Sequence, residues 1–352
     1  MSPLYILHLC PSVDLIVNPK HLVTILKYAA SVGILVWLIY SRRDQFSTFM
    51  EQDKNLWWLA TAVCTMLVAF SFSYLRWHRL ANAINLDLTV KEAAKLGFIG
   101  AFFNIVAFGV LGGDSLRAFY AARSKKDRVA EAILSVFIDR AIGLMVMCGF
   151  AGIAWRINVI LGGGSGETKE QIAIAGICNT AGLLSIVGAT VLVLFLIYPG
   201  IRKAAFFQAF TKLPKIGGLI DRGMEAAALY STNLGAIVIA ILFSIATNTL
   251  FATTIWLVSL GVSEGAPSFA QHLVMAPIAM VANSVPLPGG VGGMEFALSS
   301  MYESYEASGG VIVAICYRLC ILFVSLVGWI VWLVGGNEMR VESSKQALEP
   351  KK

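Results

Sequence analysis

Asn283-Ser-Val-Pro-Leu-Pro-Gly-Gly-Val-Gly-Gly-Met-Glu295 interrupts the apolar stretch Phe269–Tyr305. Pro286 and Pro288 each remove a backbone donor and fix the break, and the glycines beside them let other groups approach the backbone closely. Hydrocarbon cannot satisfy the N–H and C=O groups freed by a broken helix, so the break must face a cavity or other protein. A second apolar stretch, Ala93–Ala122, is broken in the same way by Asn104-Ile-Val-Ala-Phe-Gly-Val-Leu-Gly-Gly-Asp-Ser-Leu-Arg117. Both breaks contain Gly-Val-x-Gly-x-acid, as Gly109–Asp114 and as Gly290–Glu295, with Asn-x-Val just before it. An arginine inside the next apolar run follows each, Arg140 and Arg318.

The rest of the chain reads as membrane spans. Hydrophobic residues make up 57% and charged residues 14% of the 352 residues, and mean hydropathy is +0.75. Soluble domains carry about 25% charge. Runs long enough to cross about 30 Å of hydrocarbon recur at Leu22–Tyr40, Leu56–Leu75, Val129–Trp155, Ile172–Tyr198, Asn233–Leu260 and Val311–Val334. The expected fold is an all-α polytopic membrane protein, residues 1–352 forming one integral-membrane domain, with about six full spans and two broken re-entrant helical hairpins. Residues 201–229 read as a cytoplasmic interfacial helix, where Arg202, Lys203, Lys212, Lys215 and Arg222 alternate with Phe206, Phe207, Phe210 and Leu213. Residues 338–352 read as a frayed polar tail, and Gly162-Gly-Gly-Ser-Gly166 as a flexible outer loop rather than a phosphate loop.

The basic residues set the expected orientation. With each broken segment entering and leaving on one side, that topology places 20 of the 27 Lys and Arg on the side of the N-terminus and five on the other. Basic loops face the cytoplasm. Both termini are therefore expected inside a cytoplasmic (inner) membrane, with 41–55, 156–171 and 261–268 outside. On this topology unit 56–155 and unit 233–334 each read span, broken segment, span, and enter from opposite sides. Such inverted-topology repeats place a transport site between them near mid-membrane.

Asp114, Arg117, Asp139, Arg140, Glu295 and Arg318 lie in or beside apolar segments, where each charge is costly and must pair or serve a function. With Asn104, Asn283, Pro286, Pro288, Gly290 and Gly293 they form the candidate substrate-binding set. Asp139 and Arg140 could neutralise each other, or Asp114 and Glu295 could hold Arg140 and Arg318, so structural pairing and substrate contact are both open for the acids. Arg117, three residues after Asp114 on one helix face, suits phosphate. No nucleophile–base pair, metal spacing or cofactor motif is present. Cys316 and Cys320 share a helix face without a His or acid beside them. His272 reads as a solvated or satisfied histidine near the outer mouth. The net charge of +6 fits loops against anionic lipid, with no nucleic-acid motif beside it.

Asn104…Gly-Gly-Asp-Ser-Leu-Arg117, Asp139-Arg-Ala-Ile-Gly-Leu144, Pro286-Leu-Pro-Gly-Gly-Val-Gly-Gly-Met-Glu295 and Arg318 together resemble the lysylphosphatidylglycerol synthase/flippase transmembrane-domain family over residues 20–335. The family usually has proline before Gly-Glu-x-x-Arg in the first motif; here Ala107-Phe108-Gly109 stands there and Asp114 replaces the glutamate. The resemblance implies a flippase for a phospholipid or a lipid-linked, polyprenyl-phosphate-type molecule. It implies anionic or phosphate-bearing membrane lipids as partners and a separate enzyme that makes the lipid. The family's bifunctional members add a soluble aminoacyl-transfer domain after the membrane part; the expectation here is a membrane part that is not an enzyme. Two other readings stay open: an integral-membrane transferase acting on lipid-linked sugars, and an ion-coupled small-solute transporter.

Overall fold

The computed structural model describes residues 40, 54–106, 110–124, 128–162, 168–198, 200, 217–263, 265–283 and 292–348. Among them are ten helices and no strand: α1 (Leu56–Ala83), α2 (Val90–Val106), α3 (Val110–Ser124), α4 (Val129–Ile160), α5 (Lys169–Ile197), α6 (Gly217–Thr232), α7 (Leu234–Val262), α8 (Phe269–Asn283), α9 (Gly293–Ser304) and α10 (Gly310–Leu348). Five are long and apolar enough to cross a membrane: α1, α4, α5, α7 and α10 as far as Val334. The chain is thus an all-α polytopic membrane protein. The expected first span, Leu22–Tyr40, lies outside the described residues apart from Tyr40.

Two boundaries differ most from the sequence reading. The second expected span does not stop at Leu75. Nothing between Leu75 and Ala83 breaks a helix, and α1 runs on until the chain turns through the positive-φ residues Asn85 and Asp87. The polar tail is helical as far as Leu348, since 338–348 holds helix formers and neither glycine nor proline. Of the expected interfacial helix 201–229, residues 201–216 lie outside the described set, while α6 packs on α4, α5 and α7. The Tyr230 hydroxyl donates to the Leu80 carbonyl at 3.0 Å.

The helix pairings repeat across the two units. Exchange α1 for α7, α2 for α8, α3 for α9 and α4 for α10, and the packing pattern maps onto itself. α2 packs on α3 and α8 on α9; α3 packs on α4 and α9 on α10. The units also interlock, because α2 lies against α10 and α8 against α4, while α1 and α7 form the most extensive pair. Lipid supplies no hydrophobic drive between such helices, so small residues at the crossings matter most. A Cβ on Gly328 would lie 2.0 Å from the Phe98 carbonyl oxygen, fixing how closely α10 meets α2. At the α4–α5 crossing Gly152 meets the Gly182 Cα, and a Cβ there would lie at 3.0 Å.

Both broken segments fold back on themselves. α2 has 17 residues and α3 has 15, about 25 and 22 Å long at 1.5 Å per residue. α8 and α9 have 15 and 12. None alone spans about 30 Å of hydrocarbon. The arms run antiparallel: Asn104 meets Gly113, while Gly100 packs on the Arg117 stem. In the second hairpin Gly293 meets Ala282, and His272 meets Tyr302. The first arms even begin alike, with Ser/Thr-x-x-Glu/Gln capping boxes. Thr89 N–H donates to Glu92 Oε2 at 2.8 Å, and Ser268 N–H to Gln271 Oε1 at 2.7 Å.

Candidate functional site

The second hairpin carries a closed ion pair. Gly292, with φ of 99°, starts α9 in a conformation that only glycine adopts readily. Its N–H donates to Glu295 Oε2 at 2.8 Å, drawing the carboxylate back over the helix N-terminus. The same carboxylate, fully buried, takes both the Nε and Nη2 of Arg318 on α10, the latter at 3.1 Å. Arg318 Nη2 also donates to Asn283 Oδ1 at 3.4 Å, at the end of α8. One arginine therefore ties both arms of the hairpin to the last span.

The first hairpin holds the matching pair and three further charges. Asp114, in the early turns of α3, accepts from Arg140 Nη2 on α4 at 2.5 Å. The Arg140 side chain is 44% exposed and Asp114 largely buried. Asp139, the residue before Arg140, points elsewhere because neighbours on a helix lie about 100° apart. It receives Arg76 on α1 bidentately, Nε at 2.7 Å and Nη2 at 3.1 Å, entirely buried. Arg76 Nη1 donates to Ser244 Oγ on α7 at 3.0 Å. Gly143 makes the room: a Cβ there would sit 2.9 Å from that guanidinium.

Arg117 lies deeper, 3% exposed. Its guanidinium carbon stands 4.9 Å from the Trp77 ring and 5.3 Å from the Tyr74 ring. Its Nη1 is 3.7 Å from Asp114 and 4.0 Å from Asp139. Its Nε and Nη2, and the Tyr74 hydroxyl, have no hydrogen-bond partner among the described residues. Gly97 and Gly100 on α2 leave space for this stack: a Cβ on Gly97 would lie 2.3 Å from the Tyr74 ring. Three arginines (76, 117, 140) thus share two aspartates (114, 139), a net charge of +1.

Of the sequence-derived set, Asn104, Asp114, Arg117, Asp139 and Arg140 gather at the first hairpin, and Asn283, Gly293, Glu295 and Arg318 at the second. Asn104 serves its own hairpin, accepting from Gly113 N–H at 2.8 Å. Pro286, Pro288 and Gly290 lie outside the described residues. The mutual neutralisation of Asp139 and Arg140 gives way to separate partners for each, Arg76 and Asp114. Ending the second span at Leu75 leaves Arg76 out of the candidate set, and Tyr74, inside that span, carries no signal that sets it apart from the other aromatics there. An arginine directly behind an unbroken apolar run, with no helix breaker, was the signal for Arg76. His272 is buried and satisfied, with Nδ1 2.9 Å from the Ser268 carbonyl and Nε2 2.8 Å from the Tyr302 hydroxyl.

Among the described residues no three His, Cys, Asp or Glu side chains stand together in a way that could hold a metal ion. A polar cleft of about 690 Å³, walled by Glu170, Gln171, Gln271, Glu303 and Glu306, takes in none of the charged residues above. The chemistry the hairpins display is that of arginine guanidinium groups held by carboxylates.

No curated protein and no solved structure matches the chain. The family model described as lysylphosphatidylglycerol synthase TM region matches residues 24–328, which takes in both hairpins and every arginine–carboxylate pair described above. With most of its length matched, the chain belongs to the lysylphosphatidylglycerol synthase transmembrane-region family.

Proposed function

We propose that this protein is a flippase for a phosphate-bearing lipid in the cytoplasmic membrane, its head group passing between the two hairpins while the lipid chains stay in the bilayer. The observation that carries this reading is the recurrence of one device: a hairpin carboxylate holding an arginine of the following span, Asp114 with Arg140 and Glu295 with Arg318. An arginine left alone at membrane depth is costly, so an acid holds it between transport events. Phosphate offers the same bidentate acceptor geometry as a carboxylate. A head group can therefore take the acid's place on the arginine, while the displaced carboxylate keeps another donor nearby: Arg117 Nη1, 3.7 Å from Asp114, or the Gly292 N–H, 2.8 Å from Glu295.

Three span-length helices, α1, α4 and α5, stand between the starts of the two units among the described residues. That odd number supports an inverted repeat, which suits a site opened to each side in turn. In this reading the protein does no covalent chemistry, another enzyme makes the lipid, and both termini face the cytoplasm.

The test is purified protein in liposomes holding a trace of fluorescent phospholipid or fluorescent polyprenyl-phosphate sugar. Translocation is read as the fraction of label a membrane-impermeant quencher reaches over time. Wild-type protein should move at least one of these lipids well above protein-free vesicles, and Arg140→Gln with Arg318→Gln should return the rate to background. Wild-type rates equal to background for both lipids would sink the proposal, as would full transport after Arg117, Arg140 and Arg318 are all changed to Gln.

A further inference from the structure

The two hairpins share a frame but not a charge. Arg117 stands three residues after Asp114; three residues after Glu295 stands Leu298, fully buried. Asp139 precedes Arg140; Tyr317 precedes Arg318. Arg76 lies at the same offset into α1 as Thr254 into α7. The second half therefore keeps only the neutral pair Glu295–Arg318, whereas the first half adds two arginines and one aspartate.

The surplus cation can be located. Arg76 and Arg318 each grip a carboxylate through the Nε–Nη2 edge of the guanidinium. That edge presents two parallel N–H groups matched to a carboxylate or phosphate. In Arg117 this same edge is the unpartnered one among the described residues, and it is buried; the Tyr74 ring packs on the guanidinium, and its hydroxyl is likewise unpartnered. The aromatic rings beneath it attract the cation but accept no hydrogen bond along that edge. Arg140, with its side chain 44% exposed, is the most open of the cluster's arginines, whereas the Arg117 side chain is enclosed.

We propose that the first-half cluster is a binding site for a single monoanionic phosphodiester, held by the buried Nε–Nη2 edge of Arg117, and that the second half holds no equivalent site. A net charge of +1 is cancelled by one phosphodiester. A phosphomonoester, carrying about 1.5 to 2 negative charges at neutral pH, overshoots it. Phospholipids of the phosphatidylglycerol kind and polyprenyl-phosphate sugars share this linkage. The assignment rests on the proposed function for its lipid but not for its anion, because binding can be measured where nothing is transported.

The experiment is isothermal titration calorimetry of the full-length protein in detergent. The probes are dihexanoyl phosphatidylglycerol, dihexanoyl phosphatidate, a short-chain polyprenyl-phosphate sugar and inorganic phosphate. One equivalent of a phosphodiester should bind, at least tenfold tighter than the phosphatidate at pH 8. Arg117→Lys keeps the charge but not the fork and should weaken binding tenfold or more while the melting temperature holds; Arg117→Gln should weaken it further. Whichever phosphodiester binds tighter names the source. Two equivalents, equal binding of phosphatidate, inorganic phosphate competing as well as the lipid, or unchanged affinity in a folded Arg117→Lys protein would each overturn the assignment. Intact binding without translocation in liposomes would instead defeat the flippase reading and leave this site standing.

Discussion

Asp139→Asn and Arg76→Gln remove opposite ends of one buried pair, and the charge of the cluster makes their costs unequal. The native cluster carries +1. Asp139→Asn raises it to +2, leaves the Arg76 fork without its carboxylate and takes from Arg117 one of its two nearby acids. Breaking a buried pair costs about 3–5 kcal/mol, and the side chains here are only 7% and 1% exposed, so solvent screening gives little relief. Arg76→Gln brings the cluster to zero instead, and Asp139 still faces Arg117 at 4.0 Å; the loss should be nearer the cost of an unmade buried hydrogen bond, about 1–3 kcal/mol. The double variant restores +1 and should be more stable than Asp139→Asn alone. Melting in detergent, followed by the loss of the monomeric chromatography peak, should show Asp139→Asn about 5–10 °C below wild type and Arg76→Gln clearly less affected. If Arg76→Gln melted as low as Asp139→Asn, or the double variant lower than both, the +1 accounting would be wrong.

The remaining predictions concern backbone, packing and orientation. Gly292→Ala forces a φ of 99° on an L residue at the cap that positions Glu295, and should cost about 1–3 kcal/mol in thermal melting. Gly328→Ala drives a methyl against the Phe98 carbonyl and should lower the melting temperature by several degrees. Gly176→Ala, with nothing within 4 Å, should hold stability or raise it by up to about 1 kcal/mol. In a cysteine-free background, Thr168→Cys should react with an impermeant maleimide added to intact cells and Asn85→Cys should not; the reverse pattern would refute the expected orientation.

Sequence alone carries the helical class, five of the spans and the existence of both breaks, because each is written in long runs of one kind of residue or in prolines and glycines placed where a helix must stop. It also displays the recurring pattern of Asn104, Asp114 and Arg140 beside Asn283, Glu295 and Arg318. It could not show the partner of Asp139. That partner is on another helix, and with the second span ending at Leu75 the expected topology puts Arg76 in the loop 76–95. Arg76 and Arg117 both turn out to be buried in the ionic cluster. Taking them out of the count still leaves a large basic excess on the expected cytoplasmic side. The interlocking of α2 with α10 and α8 with α4 was equally hidden, since glycines such as Gly328 give no sign in the sequence of which backbone they meet.

The repeat separates what both halves must do from what only one does. Capping boxes at Thr89 and Ser268, close glycine contacts between hairpin arms, and cross-packing onto the other unit's last span recur in both. These demands are met by backbone and small residues, so they are indifferent to charge. Among the charged residues of the two clusters, only the acid–arginine pair at each hairpin recurs, and it joins each hairpin to the span that follows. Arg76, Asp139 and Arg117 have no charged counterpart in the second half. Two of them neutralise each other with good geometry and bind α1 to α4. The third reaches both aspartates through Nη1 alone, and its buried Nε–Nη2 edge has no acceptor among the described residues, a cost tolerated only where something it binds returns it. The asymmetry therefore sits on Arg117, in the half whose arginine pair is the more open to its surroundings.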